Sequence, residues 1–213
     1  MAYLLKLNAN EYRDISLISK KKDEKNDRFT VIDMKKYIAL LRGVNVGGKN
    51  KISMPLLKAA FIERGFFDVV TYLNTGNIIF TSEIQDAMLL QKQCQQIIKD
   101  VFHVDLAIAV ISAYDLSEAL LHAPNWWDND TESKHNAIFA IAPASVESII
   151  KEIGETKPDY EQVFHYGTII FWSAPLKTFS RTRWSRIAST SAYNTITIRN
   201  ANTTKKLLQL ACK

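Results

Sequence analysis

From Met34 onward the spacing of apolar residues switches repeatedly between two periods, and each switch marks a change of element. The run Tyr37-Ile-Ala-Leu-Leu41 predicts a buried strand over 36–42. It empties into a loop of Gly, Asn and Lys. The helical spacing of Leu56, Leu57, Ala60 and Phe61 then predicts a helix over 54–64, with Ser53 as N-cap and Gly65 just past its end. Strands follow at 68–73 and 77–81, joined by a turn over Asn74-Thr-Gly76. Ser82 and Gln85 form a capping-box pattern ahead of a long helix to about 102, apolar at Ala87, Leu90, Cys94, Ile97 and Val101. The next strand covers 104–111. Strand-helix-strand-strand-helix-strand is the order of a ferredoxin-like sandwich.

After a connecting helix at 112–122, opened by Ser112 and Asp115, the order recurs. A strand is predicted at 136–142, a helix at 145–154, strands at 161–166 and 168–173, a helix at 181–189 and a strand at 195–199, with a final helix at 203–211. Gly76-Asn-Ile-Ile-Phe-Thr-Ser82 and Gly167-Thr-Ile-Ile-Phe-Trp-Ser173 share five of seven residues, each on the third strand of its unit, which suggests duplication. The expected fold class is α+β: two tandem ferredoxin-like (α-β plait) domains, 34–124 and 125–213. Residues 1–33 show no sustained period, and Lys20-Lys-Lys-Asp-Glu-Lys-Asn-Asp-Arg28 has nothing to bury. They read as an N-terminal tail, disordered or loosely attached, as a start codon placed too far upstream would give.

Composition narrows the function classes only slightly. With 47% apolar and 23% charged residues the chain has the balance of a soluble globular protein, and no window approaches the ~18 apolar residues of a membrane span. Cys94 and Cys212 stand far apart, with no metal-site or disulfide spacing, so a cytoplasmic protein with reduced thiols is expected. The formal charge of +5 matters more once it is placed along the chain. Residues 34–62 carry six basic residues and no acid, and 177–213 carry eight and no acid, while 63–176 hold six basic against sixteen acidic residues. Two positive segments therefore bracket an acidic middle, and a fold that joins them favours an anionic partner.

The glycine loop lies in the first positive segment. Gly43, Gly47 and Gly48 allow close backbone approach, Asn45 and Asn50 add donors, and Arg42 and Lys49 add charge. In the second segment Arg199 supplies charge at a strand's end, while Asn200 or Asn202 can cap the final helix ahead of Thr203. Asn74 and Asn77 contribute neutral donors from the turn between. The expected site is a cleft between the domains for a small anionic or phosphorylated ligand. The alternative is structural: Gly for turns, Asn for caps, and Arg holding the domains together in a non-catalytic protein-interaction or nucleic-acid-binding module.

Three segments carry a family resemblance: Leu41-Arg-Gly-Val-Asn-Val-Gly-Gly-Lys-Asn50, Asn74-Thr-Gly-Asn77 and Thr197-Ile-Arg-Asn-Ala-Asn-Thr203. In order and spacing they resemble the signature segments of the bacterial "domain of unknown function 1697" family, over about 34–210. The resemblance implies a pair of α-β plaits and no established activity. The family's third segment often has Trp where this chain has Ala201, so a stacking role for that Trp is absent here.

Other chemistry is poorly supported. Gly43 to Asn50 matches G-x-x-x-x-G-K but puts Asn50 where a P-loop needs the hydroxyl that holds Mg²⁺, and Pro55 sets the helix start too late. RNA stacking on an open sheet needs exposed aromatics on the first and third strands; Asn77, Ile79 and Thr81 supply none, and Tyr166 and Trp172 flank an Ile170 that argues for burial. Arg181-Thr-Arg-Trp-Ser-Arg186 could follow phosphates by charge alone. His103, His122, His135 and His165 lack ligand spacing and read as surface or capping residues. Asp128, Asp130 and Glu132 alternate in a solvated linker that Trp126 and Trp127 pin down. No metal, cofactor or catalytic constellation is expected.

Overall fold

The computed structural model describes residues 17–22, 29–48 and 50–213. Strand β1 (Leu17–Lys22) pairs antiparallel with the first part of β2 (Phe29–Leu41). The rest of the expected N-terminal tail, 1–16 and 23–28, lies outside the described residues, as does Lys49.

The first half continues through α1 (Met54–Glu63), β3 (Phe67–Tyr72), β4 (Asn77–Ser82), α2 (Ala87–Phe102) and β5 (Ile108–Ser112). Its antiparallel strands run β5-β2-β4-β3, the order of an α-β plait. After α3 (Ala113–Leu121) come β6 (Ser133–Ala140), α4 (Val146–Ile153), β7 (Gln162–Tyr166), β8 (Ile169–Pro175), β9 (Ile196–Asn200) and α5 (Ala201–Ala211), with strand order β7-β8-β6-β9. Both sheets therefore place their first strand centrally, between the third and the fourth.

Each sheet has two apolar faces, because successive side chains point to opposite sides. In half one, Tyr37, Ala39, Ile78 and Phe80 pack against Leu57, Phe61, Leu90 and Ile98 of its helices. The opposite face, Ile38, Leu40 and Ile79, joins Ala137, Phe139, Ile169 and Phe171 of half two in one core that also takes in Leu116 of α3 and Leu207 of α5. The outer face of half two buries Ile138, Ile170 and Trp172 with Ile149 and Trp184. Fully burying each large aliphatic side chain stabilises by about 1.5–3 kcal/mol. The central strands are covered on both faces, while the edge strands β3 and β7 keep exposed residues such as Phe67 and Phe164. No helix among the described residues is long and apolar enough to cross a membrane.

Strand β2 reaches back to Phe29, into the expected tail, instead of starting at 36, and β5 starts at Ile108 instead of 104; two expected helices differ as well. The helix expected after Ser82 begins at Ala87, because Asp86 Oδ1 accepts the Met88 and Leu89 N–H groups at 2.8 and 3.2 Å. Gln85 instead bonds Asp33 and Lys35. The helix expected at 181–189 is replaced by three consecutive 3₁₀ turns over Leu176–Arg181, Trp184–Ser189 and Ser191–Thr195. The hydroxyls of Thr182, Ser185, Ser189 and Thr190 each donate to a carbonyl three residues back. Such bonds compete with an α-helical ladder.

Candidate functional site

The two acid-free segments do meet, and Arg199 is the residue that joins them. It leaves β9 beneath the glycine loop and is 9% exposed. Nε donates to Asn77 Oδ1 at 2.5 Å; Nη1 to Thr197 Oγ1 at 2.8 Å and Ile198 O at 2.9 Å; Nη2 to Leu41 O at 2.8 Å, Thr75 O at 3.2 Å and Gly76 O at 3.3 Å. A guanidinium has five N–H groups, so neutral acceptors from both halves engage all of them. No carboxylate among the described residues pairs with it. Burial pushes its pKa down to about 10.

Above this lock the loop braces itself. Asn45 Nδ2 donates to Ile52 O at 2.9 Å and Asn74 O at 2.8 Å, while Asn45 Oδ1 accepts the Ile52 N–H at 2.9 Å. Asn50 Nδ2 donates to Gly43 O at 3.1 Å. Asn45 and Asn50 hold φ of 55° and 47°, a region that costs non-glycine residues energy. The loop nonetheless stays at the surface, with Val46 62% exposed. Beside it a cleft of about 470 Å³ is lined by Asn45, Gly48, Lys51, Ser53, Met54 and Asn74 among others. Ser53 makes no side-chain bond to the first turn of α1, which carries no acidic residue. Arg42 turns toward half two: Nε donates to Tyr193 O at 2.9 Å, and its guanidinium lies 4.4 Å from the centroid of the Tyr193 ring.

The expected site residues thus fall into three groups. Arg42, Gly43, Asn45, Gly47, Gly48, Asn50 and Asn74 surround the loop, whereas Asn77 and Arg199 lie buried under it. Asn200 Oδ1 caps α5 by accepting the Thr203 N–H at 2.8 Å, and Asn200 and Asn202 open onto a separate cleft shared with Asp128 and His135.

Three important residues carry little sequence signal. Gly76 holds φ +74°, and a Cβ there would meet Val44 Cγ2 at 2.5 Å and Leu41 Cβ at 2.7 Å, so only glycine fits beneath the loop. Glu161, 3% exposed, accepts N–H bonds from Lys157, Arg183 and Trp184 and from the Trp172 indole, at 2.7–3.2 Å. His135 is buried, correcting the surface assignment: it sits on central strand β6, with Nδ1 2.6 Å from Ser173 Oγ and Nε2 3.1 Å from Asp130 O. Its distance to the Asp130 carboxylate, 3.6 Å, resembles a nucleophile-base-orienter series. Yet Ser173 lies in β8 between β6 and β7, where ladder pairing engages the backbone that an oxyanion hole would need. His103 and His122 do cap helices, and Trp127 does pin the linker, donating to Asn136 O at 2.9 Å.

Residues 34–171 match the family model described as "Protein of unknown function (DUF1697)", a span that takes in the glycine loop and the Asn74–Asn77 turn. Among solved structures, the conserved bacterial protein SP0830 from Streptococcus pneumoniae is similar, with 29% identity and a TM-score of 0.76 over 84% of this chain and 99% of that one. No curated protein matches the chain.

Proposed function

The chain belongs to the DUF1697 family of proteins of unknown function, and from its signature loops we propose that it binds a small phosphate-bearing anion. In this proposal the two ligand roles first assigned together are divided. Arg199 holds two units, divided near Asn125, and the outer face of the glycine loop receives the ligand. The observation that carries it is a loop held in costly backbone conformations by Asn45 and Asn50 while remaining exposed. Val44 and Ile52 anchor the loop to the core, so strain kept at its exposed tip favours ligand contact over packing. The unoccupied cap at Ser53, the cation Lys51 and the acid-free first turn of α1 support an anion in the adjoining cleft.

Thermal shift with inorganic phosphate and sugar phosphates tests this. The wild type should gain about 2–4 °C at saturation, and Lys51→Glu should abolish the gain. Arg199→Ala should lower the starting melting temperature yet keep the gain. Equal gains in wild type and Lys51→Glu would leave the interdomain lock as the sole role of these segments, the second reading, which the complete engagement of Arg199 favours.

A further inference from the structure

The run that stands in for a helix between β8 and β9 keeps a period of its own. Arg183 has helical φ and ψ of −72° and −46°, and the Arg186 N–H donates to Arg183 O at 3.1 Å, so the two residues close one 3₁₀ turn. Side chains three apart eclipse in such a turn, with about 6 Å of rise between them. Trp184 and Ile187 accordingly lie together in the core, and Arg183 and Arg186 lie together at the surface. Both arginines line a cleft of about 390 Å³, shared with Glu152 of α4, Lys157 of the loop before β7 and Thr182 among others.

The cations of this cleft have no anionic partner. Neither arginine guanidinium makes a hydrogen bond or an ion pair among the described residues. Lys157 Nζ donates once, to Arg181 O at 3.0 Å, which leaves two of its N–H groups. The one acid of the cleft wall, Glu152, turns an oxygen to the Ser191 hydroxyl and to the Ala192 N–H, the latter at 2.7 Å. Those bonds hold its carboxyl below the usual range. The backbone beneath the arginines is braced as well: the Arg183 N–H donates to Glu161 Oε1 at 2.7 Å, and Thr182 Oγ1 accepts the Ser185 N–H at 3.1 Å. Three cations therefore face one carboxylate, and the segment that carries both arginines, 177–213, holds no acid.

We propose that this cleft binds the phosphate backbone of a single-stranded nucleic acid. Arg183 and Arg186 take successive phosphates, because the rise of one 3₁₀ turn is close to the separation of neighbouring phosphates along an extended strand. Lys157 adds a third contact from the loop before β7. A guanidinium fork suits phosphate oxygens, and affinity comes from the series, since one exposed phosphate contact is weak by itself. Contacts to the backbone carry no sequence information, so binding is independent of sequence. A flexible single strand enters a cleft that a stiff duplex can only span. No lining residue is shared with the cleft beside the glycine loop, so either site can fail alone.

Fluorescence polarisation of the full chain with labelled decathymidylate over a salt series tests it. Saturable binding is expected, with affinity falling as salt rises. Arg183→Gln/Arg186→Gln should weaken it about tenfold or more and lower the slope of log affinity against log salt by about 1.4, the loss of two single-strand phosphate contacts. Neither guanidinium bonds another described residue, so this variant should keep the wild-type melting temperature. Lys58→Gln/Lys92→Gln removes the same charge from exposed positions on the helices of half one and should leave both affinity and slope as in the wild type. Equal weakening by the two variants, a slope indifferent to the arginines, a duplex of the same length binding as tightly as the single strand, or no saturation would overturn the proposal.

Discussion

The two halves share a strand order but build it differently, and the seven-residue match between them shows how. Ile78 and Phe80 face the helices of half one, while their sequence counterparts Ile169 and Phe171 face the core between the halves. One residue of offset turns every side chain of a strand to the other face. The matching residues are therefore not structural equivalents, although the topologies repeat. The crossover before the last strand differs further. Half one uses a 16-residue helix whose Leu90, Cys94, Ile97 and Ile98 fill the core, whereas half two uses 3₁₀ turns gathered around the buried carboxylate of Glu161. A helix satisfies its own backbone; an irregular run must borrow acceptors.

The sharpest way to break this contrast is Glu161→Ala. It removes the acceptor of four N–H groups, and the orphaned donors together should cost about 4 kcal/mol or more, read as a fall in the denaturant midpoint. A loss below about 1 kcal/mol would mean that the 3₁₀ run holds itself and that the halves do not differ in this way.

What the sequence disclosed follows the same division. Elements with a strong period and a local cap, such as α4 behind Ser145 or α1 ahead of Gly65, were legible within a residue or two. The run after Pro175 was not, because its apolar residues Trp184 and Ile187 keep a helical spacing while its hydroxyls and a carboxylate some twenty residues upstream decide the backbone. At the candidate site, charge placement marked the two positive segments, and their meeting was a condition that the bonds from Arg199 to Leu41 O and Asn77 Oδ1 meet. Whether Arg199 would face a guest or carbonyl oxygens was not, since that depends on Leu41, Thr75 and Gly76 arriving from the other half.

Arg199→Met probes the seam between the halves. Methionine fills much of the volume but leaves Asn77 Oδ1, Thr197 Oγ1 and Leu41 O without their donor, for a cost of about 3 kcal/mol. The pH dependence has a definite sign. Burial depresses the folded pKa to about 10, so the unfolded chain holds this proton more readily, and the burial penalty is complete below pH 10 and relieved only as the pH rises above it. The measured cost should accordingly be flat between about pH 6 and 9. A cost that changes across that range would assign the lock to a titrating partner other than Arg199.

Asp86→Ala should have the smallest effect and completes the comparison. Asp86 is the counterpart of Glu161 in half one, a carboxylate placed before the crossover that accepts two backbone N–H groups. Its position is exposed, so water replaces it when it is removed, and α2 keeps its internal ladder and its buried face. The expected loss is about 1 kcal/mol, a fall of roughly 2–4 °C in melting temperature for a chain of this size. If calorimetry instead gave Asp86→Ala and Glu161→Ala the same loss, both crossovers would depend equally on a single carboxylate. The contrast between a self-sufficient helix and a borrowed-acceptor run would then collapse.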